Sequence, residues 1–205
     1  MNVYYDDRFE REPSGYHPYT GGAYSEDIRY YDFKRHPELI PTVLEDFVSY
    51  SQEPAIQRFY KLLRWLNSPD SVLESNDCAF MGPHKETDPK RDKTICVSGR
   101  LMIFYRDLGL NIPKENLKMM SDAVLHYLSR FAPSLTWQQA SVGVTVVSTI
   151  YEVFNRVGRR LLLSFWAWGN TDDEAFGNLE RLFSALHECL IQVSTDIQSA
   201  TSDPK

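Results

Sequence analysis

Hydrophobic side chains recur at intervals of three and four residues in four stretches of the chain, which is the spacing of an amphipathic helix. The four stretches are residues 41–48, 56–66, 114–128 and 172–197. Pro54 separates the first two, because proline is tolerated in a helix mainly at its first turn. The pattern therefore predicts two shorter helices early in the chain and two longer helices in its second half.

Short runs rich in β-branched and aromatic residues lie between the helical stretches and predict four strands. The runs are residues 72–80, 94–107, 142–154 and 160–168, with a turn at 155–158. Gly99 is expected to mark a bulge or a bend in the second strand. The polar segment 82–93 contains two prolines and charges of both signs, so we expect an exposed, mobile loop there.

The second part of the chain has the order strand, strand, helix twice over. The segments GRLMIFYRDLGLN and GRRLLLSFWAWGN precede the two longer helices and align on Leu101 and Leu161. Two such halves predict an α+β fold, with one antiparallel sheet and helices packed mainly on one face. An internal duplication would explain this echo. Coincidence is the alternative, because any strand–turn–helix unit has the same pattern.

A length of 205 residues suits one domain with an appendage. Residues 1–37 contain seven tyrosines between scattered prolines and glycines and show no helical period. They predict an N-terminal arm of short extended pieces and turns that its tyrosines pin to the rest of the protein. Residues 38–200 are predicted to form a single α+β domain, and residues 201–205 a disordered tail.

Composition and charge narrow the classes of partner. The longest apolar run, residues 161–168, is far shorter than the roughly 20 residues that span a bilayer, so no membrane association is expected. The polar start lacks the apolar segment of a secretory signal, which predicts a cytoplasmic protein. A net charge of −6 disfavours a nucleic-acid-binding face and favours encounter with a basic partner.

Motifs for catalysis or for metal binding are missing from the sequence. The three cysteines are far apart and contain no C-x-x-C, so they are predicted to be buried thiols. The five histidines never occur in pairs at metal-binding spacing and are predicted to be structural. There is no nucleophile elbow and no phosphate-binding glycine loop. We therefore predict no catalytic residue, no metal site and no cofactor.

The stretch SFWAWGNTDDE, residues 164–174, combines aromatic and acidic side chains. Tryptophan is enriched at protein interfaces, and the predicted partner-binding residues are Trp166, Asp172, Asp173 and Glu174. A structural role is the alternative for the acids. Thr171 is a good N-cap residue, Glu174 lies three positions later as in a capping box, and carboxylates in the first turn suit the helix dipole.

Strand geometry places the two tryptophans of this stretch on one side of the sheet. Successive residues of a strand alternate between faces, so Trp166 and Trp168 share one face and Phe165 and Ala167 the other. If helices cover only one face, one of these pairs is expected to be exposed or to lie under the tyrosine arm.

Three segments resemble a family of bacterial immunity proteins. They are WLNSPDSVLESNDCAF, SGRLMIFYRDLGLN and LLLSFWAWGNTDDEAFGNLERL, between residues 65 and 182. The family members are paired with restriction-endonuclease-like toxin domains of polymorphic and type VI secretion systems. The resemblance implies a non-enzymatic, stoichiometric inhibitor whose partner is a nuclease effector, and it assigns no contact residue. The alternatives are an enzyme or small-ligand-binding domain with an unrecognised site, and a scaffold or regulator.

Overall fold

The structure is a computed structural model, and it describes residues 1–5, 16–17 and 32–202 of the chain. The strands are β1 (Asn2–Tyr5), β2 (Tyr16–His17), β3 (Leu73–Lys85), β4 (Ile95–Tyr105), β5 (Ala140–Tyr151) and β6 (Arg156–Gly169). The helices are α1 (Ile40–Val43), α2 (Glu45–Val48), α3 (Pro54–Asn67), α4 (Lys114–Phe131) and α5 (Asp172–Ser202). The fold is α+β, as predicted.

One mixed sheet organises the protein, with the strand order β1-β5-β6-β4-β3 and with β2 also paired to β5. The four long strands are antiparallel, as the sequence predicts. The two short strands β1 and β2 instead run parallel to β5, which corrects the prediction of a purely antiparallel sheet. β1 and β2 lie more than a hundred residues before β5 in the chain. Pairing over this distance leaves no local pattern, so the sequence could not reveal these two strands at the edge of the sheet.

The helices form a single layer on one face of the sheet. α5 lies in the middle of this layer, in contact with both α3 and α4. The Phe165 ring on β6 is 5.0 Å from the Phe183 ring of α5 and 6.2 Å from the Phe59 ring of α3. The three side chains are fully buried, so the hydrophobic core lies between sheet and helices.

Gly99 belongs to a regular part of β4, where it pairs with Phe80 and with Phe165. The bulge or bend predicted at this glycine is therefore wrong, since the register shifts fall in β3 at Ser75/Asp77 and Met81/His84. A Cβ at position 99 would lie 2.6 Å from the Phe165 ring. Glycine is required here by close packing.

The other face of the sheet, called the outer face below, is only partly covered. Its side chains include Cys96, Ser98, Arg100, Met102 and Phe104 on β4, and Leu162, Ser164, Trp166 and Trp168 on β6. Near one end, His17 of β2 packs edge-on against Phe104, with ring centroids 4.8 Å apart. Tyr4 of β1 lies against Gly143, where a Cβ would come within 3.0 Å of its hydroxyl. The described parts of the arm thus contact the domain.

The two hairpins meet symmetrically at the middle of the sheet. In the β4–β6 register Met102 pairs with Leu162, Leu101 with Leu163, and Ile103 with Leu161. With the alignment of Leu101 on Leu161, this register has the two-fold pattern that two equivalent hairpins would produce. The duplication itself stays a prediction.

Several element boundaries differ from those predicted. β3 continues through part of the expected loop to Lys85, and β5 ends at Tyr151, followed by the 3-10 turn Glu152–Phe154. Leu44, whose ψ of 76° is not helical, divides the first predicted helix into α1 and α2. α5 continues to Ser202, so the first two residues of the predicted tail are helical, and residues 203–205 lie outside the described part. Among the described helices, none has the length and hydrophobicity of a membrane span.

Candidate functional site

Trp166 and Trp168 both lie on the outer face, near the end of β6 that leads into α5. Trp168 is 4% exposed, and Trp166 is half-buried. Since the helix layer covers Phe165 and Ala167 on the opposite face, the tryptophans are the pair left for other contacts. The two rings have different surroundings.

Arg91 covers Trp168. Its guanidinium carbon lies 3.6 Å from the centroid of the Trp168 ring and 4.8 Å from that of Trp137. The guanidinium also donates a hydrogen bond to the carbonyl of Trp137, and the Trp168 indole N–H donates to Glu86. Stacked cations and a carboxylate on the ring edge are favourable contacts for indole. Loop 86–93 therefore covers this tryptophan, and most of the tyrosine arm lies outside the described residues.

Further bonds anchor the same loop. Gln138 accepts from the backbone N–H of Asp92 at 3.3 Å and donates to the carbonyl of Lys90 at 3.2 Å. Lys93 forms an ion pair of 2.8 Å with Glu174 at the start of α5. The segment predicted to be an exposed, mobile loop is exposed, but it is tied to the end of the sheet through side chains that local composition does not identify.

Trp166 lines a groove of about 400 Å³ on the outer face, called the indole groove below. Its lining residues are Asp46, Ala79, Phe80, Met81, Ser98, Gly99, Arg100, Ser164 and Trp166. Two cross-strand rows form the floor: Met81, Ser98 and Trp166 in one, Ala79, Arg100 and Ser164 in the other. The half-buried Trp166 indole therefore lies among alanine, glycine and serine side chains, with the longer side chains of Met81 and Arg100 beside it.

Asp46 closes the indole groove from α2, beside the edge strand β3. Its carboxylate is 3.5 Å from the backbone N–H of Phe80, which is at the limit of a hydrogen bond. Within the described ranges no cation lies within ion-pair distance of it. Arg100, which also lines the groove, is paired with Asp77 at 3.3 Å. Among the described residues, the groove thus holds a carboxylate that has no counter-charge and a half-buried indole that no cation covers.

Among the acids at the start of α5, Glu174 takes part in bonds at the helix N-terminus. Thr171 accepts a hydrogen bond from the backbone N–H of Glu174 at 3.2 Å, and Glu174 accepts from that of Asn170 at 2.8 Å. The ion pair with Lys93 and the hydrogen bond from the backbone N–H of Asn170 both lower the pKa of Glu174. The N-cap predicted at Thr171 is present, whereas Glu174 accepts from the N–H of Asn170 and not from that of Thr171 as in a capping box. Asp172 and Asp173 remain exposed.

Asp173 lines a second groove of about 230 Å³ between the first turns of α3 and α5, called the acidic groove below. Glu53 and Glu180 line it too. The two grooves share a wall of aromatic rings. Phe80 lines the indole groove, Phe176 lines the acidic groove, their ring centroids are 6.3 Å apart, and the Tyr50 ring is 5.6 Å from each.

The structure therefore places two of the predicted partner-binding residues in adjoining grooves, Trp166 in one and Asp173 in the other. Glu174 is committed to capping, and Asp172 is exposed beside the acidic groove. No local pattern points to Asp46, because it lies on a short helix more than a hundred residues before Trp166 in the chain. Arg91 was missed for the same reason, since nothing local relates it to Trp137 and Trp168.

The histidines lie on different elements. His17 packs on the outer face, His187 of α5 lies 5.4 Å from the Trp65 ring, and His126 is exposed on α4. Burial lowers the pKa of His17 to about 4. Cys96 and Cys189 are buried, as predicted, whereas Cys78 is half-buried. Within the described part of the chain, no three histidine, cysteine or acidic side chains converge in a way that could hold a metal ion.

Searches of protein-family models, of curated proteins and of solved structures find no match to this chain. Function is therefore argued from the geometry of the two grooves, the charge of the chain and the resemblance between residues 65 and 182.

Proposed function

We propose that this chain is an immunity protein that binds a cognate antibacterial nuclease effector and neutralises it by stoichiometric, non-catalytic inhibition. In this role it would act in the cytoplasm of the cell it protects. The observation that carries the proposal is the pair of adjoining grooves, which bring accessible aromatic and acidic side chains to one end of the sheet.

Charge complementarity supports a basic partner. Four carboxylates line the two grooves, against the single guanidinium of Arg100, which Asp77 already neutralises. One of the four, Glu180, is itself paired with Arg58 at 3.6 Å, so the excess negative charge comes from the other three. The lining acids are Asp46, Glu53, Asp173 and Glu180. A nuclease binds phosphates, so its substrate face is rich in lysine and arginine. Opposite charges accelerate the encounter and favour an orientation in which the inhibitor blocks that face.

Aromatic anchors support a protein partner in particular. Tryptophan, tyrosine and arginine dominate the binding energy of protein interfaces when they lie in or beside pockets. Trp166, Tyr50 and the exposed Trp137, which is 48% exposed, lie around this end of the molecule. The alternative of an enzyme or a small-ligand-binding domain expected a polar pocket that gathers histidines and acids. No observation in the described ranges favours it.

The test is co-expression with the toxin domain encoded beside this gene. Cells that carry the wild-type chain should grow, and the purified proteins should form a 1:1 complex by calorimetry. Asp173→Lys should weaken binding at least about tenfold, because it places a like charge against a basic surface. Asp70→Lys, at the opposite end of α3, is the matched control and should bind as the wild type does. Failure of the wild type to protect or to bind would refute the proposal.

A further inference from the structure

The inference concerns what occupies the indole groove, and it rests on the proposed function because it names the side chain that an effector would present there. Trp166 and Trp168 are two residues apart on the same face of β6. They therefore offer comparable indole surfaces to whatever approaches the outer face.

Trp168 shows what such a surface binds in this protein. Arg91 lies over the ring, with its guanidinium carbon 3.6 Å from the centroid, and the carboxylate of Glu86 accepts the hydrogen bond of the same indole N–H. Partial burial opposes the shift, but hydrogen bonds from the backbone N–H of Asp88, from the Trp168 indole and from the backbone N–H of Thr87, together with the nearby charge of Arg91, lower the pKa of Glu86. The site thus consists of an indole, a guanidinium and a carboxylate. The guanidinium comes from the chain itself.

The indole groove contains the same components except one. Trp166 supplies the ring and Asp46 the carboxylate, and Ser98 and Ser164 place hydroxyl acceptors in the floor. Among the described residues no cation lies over Trp166. Arg100 lines the same groove, but its guanidinium is held by Asp77, so the net charge of these three ionised groups is −1.

We propose that the indole groove binds an arginine side chain of the partner, with its guanidinium against the Trp166 ring and paired with Asp46. Arginine fits better than lysine, because a planar guanidinium stacks on an aromatic face while it donates hydrogen bonds within its plane. The serine hydroxyls and the carboxylate are acceptors for those donors. The chain thereby captures one of the arginines with which a nuclease would hold phosphate.

A small-molecule titration tests the site without the effector. The indole N–H resonances of the full chain are followed as N-acetyl-arginine amide is added, with Trp166→Phe identifying the Trp166 signal. N-acetyl-citrulline amide, an uncharged isostere, is the matched ligand at the same ionic strength. We expect a saturable shift of the Trp166 signal with arginine, a clearly smaller one with citrulline, and weaker binding by Asp46→Asn. Glu45→Gln, an exposed neighbour on α2 outside the groove, should behave as the wild type.

Three results of the titration would overturn the inference. One is an equal response to arginine and citrulline, and another is no saturable shift at about 100 mM ligand, a concentration that corresponds to negligible binding energy. The third is a larger shift with N-acetyl-leucine amide, which would make the groove an apolar site. Retained dispersion of the amide spectrum confirms that each variant is folded.

Binding to the effector separates this inference from the proposed function. If wild type binds the toxin domain, Trp166→Phe and Asp46→Asn should each weaken the complex about fivefold. The effect of Asp46→Asn should be larger at low salt, where charge–charge attraction is less screened. Equal binding by these variants and Glu45→Gln would overturn the arginine site while the proposed function stands. If wild type fails to bind the toxin, the proposed function fails, and the titration alone decides whether the groove accepts a guanidinium.

Discussion

Glu74 is a carboxylate that the fold removes from water on the outer face of the sheet. It is 2% exposed, and its partner is Lys34, whose ammonium lies 2.9 Å away. Burial raises the pKa of Glu74, although Lys34 and Arg106 oppose the shift. The Lys34 side chain is partly exposed, so it compensates only in part for the lost hydration of the buried carboxylate. The structure therefore accepts a cost at Glu74, where Lys34, near the end of the arm, is bound to the sheet.

The pH dependence of stability should reveal this cost. Because the folded state holds the Glu74 proton more tightly than the unfolded state, wild type should lose stability as pH rises through the ordinary pKa of 4.5 towards the raised value. The glutamine of Glu74→Gln cannot titrate. The free energy of unfolding of this variant should therefore increase relative to that of wild type between about pH 4 and pH 7. Urea unfolding at several pH values measures this difference. Glu115→Gln, an exposed substitution on α4, is the control, and a difference that merely follows it would contradict the prediction.

Loop 86–93 is the element whose behaviour local composition predicted least well. The two prolines and mixed charge of residues 82–93 indicated a mobile loop, yet Arg91 contacts the rings of both Trp137 and Trp168. Each of these residues is far from the others along the chain, and the pairing of both β4 and β5 with β6 brings them together. Helices and long strands were predictable because their periodicity is local. The contact of Arg91 with the two tryptophans depends on the assembled sheet, and so does the parallel pairing of β1 and β2 with β5.

Removal of the Arg91 side chain should therefore destabilise the protein. Arg91→Ala loses two cation–π contacts and a hydrogen bond, and we expect it to lower the free energy of unfolding by about 1–2 kcal/mol. Urea unfolding followed by tryptophan fluorescence measures the change. Lys90→Ala, in the same loop, is the control because only its backbone carbonyl is bonded to the sheet end. Equal effects of the two substitutions would mean that the stack does not hold the loop.

At the scale of the whole molecule, the candidate site exists because the helices pack on one face of the sheet and leave the other face partly exposed. The helix layer covers the face that carries Phe165, and the outer face keeps Trp166 within reach of a partner. Alternation along β6 predicted that the two residues would lie on opposite faces. Which face the helices would choose, and that Asp46 would reach the groove from α2, follow only from the packing of distant elements.

A pair of glycine substitutions tests how tightly the two layers are interlocked. At Gly99 an added Cβ would lie 2.3 Å from the carbonyl of Ala79 and 2.6 Å from the Phe165 ring, which is itself held by α3 and α5. Neither neighbour is the free end of a flexible side chain, so Gly99→Ala should cost about 1–3 kcal/mol of stability.

Gly177→Ala is the matched substitution in the helix layer, and it should have the opposite sign. A Cβ at position 177 meets nothing within 4 Å, and alanine restricts the unfolded chain more than glycine does. We expect a gain of about 0.5–1 kcal/mol. Urea unfolding of both variants, with circular dichroism to confirm the native fold, gives the comparison. A Gly99→Ala protein as stable as wild type would contradict the prediction. It would mean that the sheet and the helices can move apart by a few tenths of an ångström. Close packing of the two layers would then not fix the position of Trp166 on the outer face.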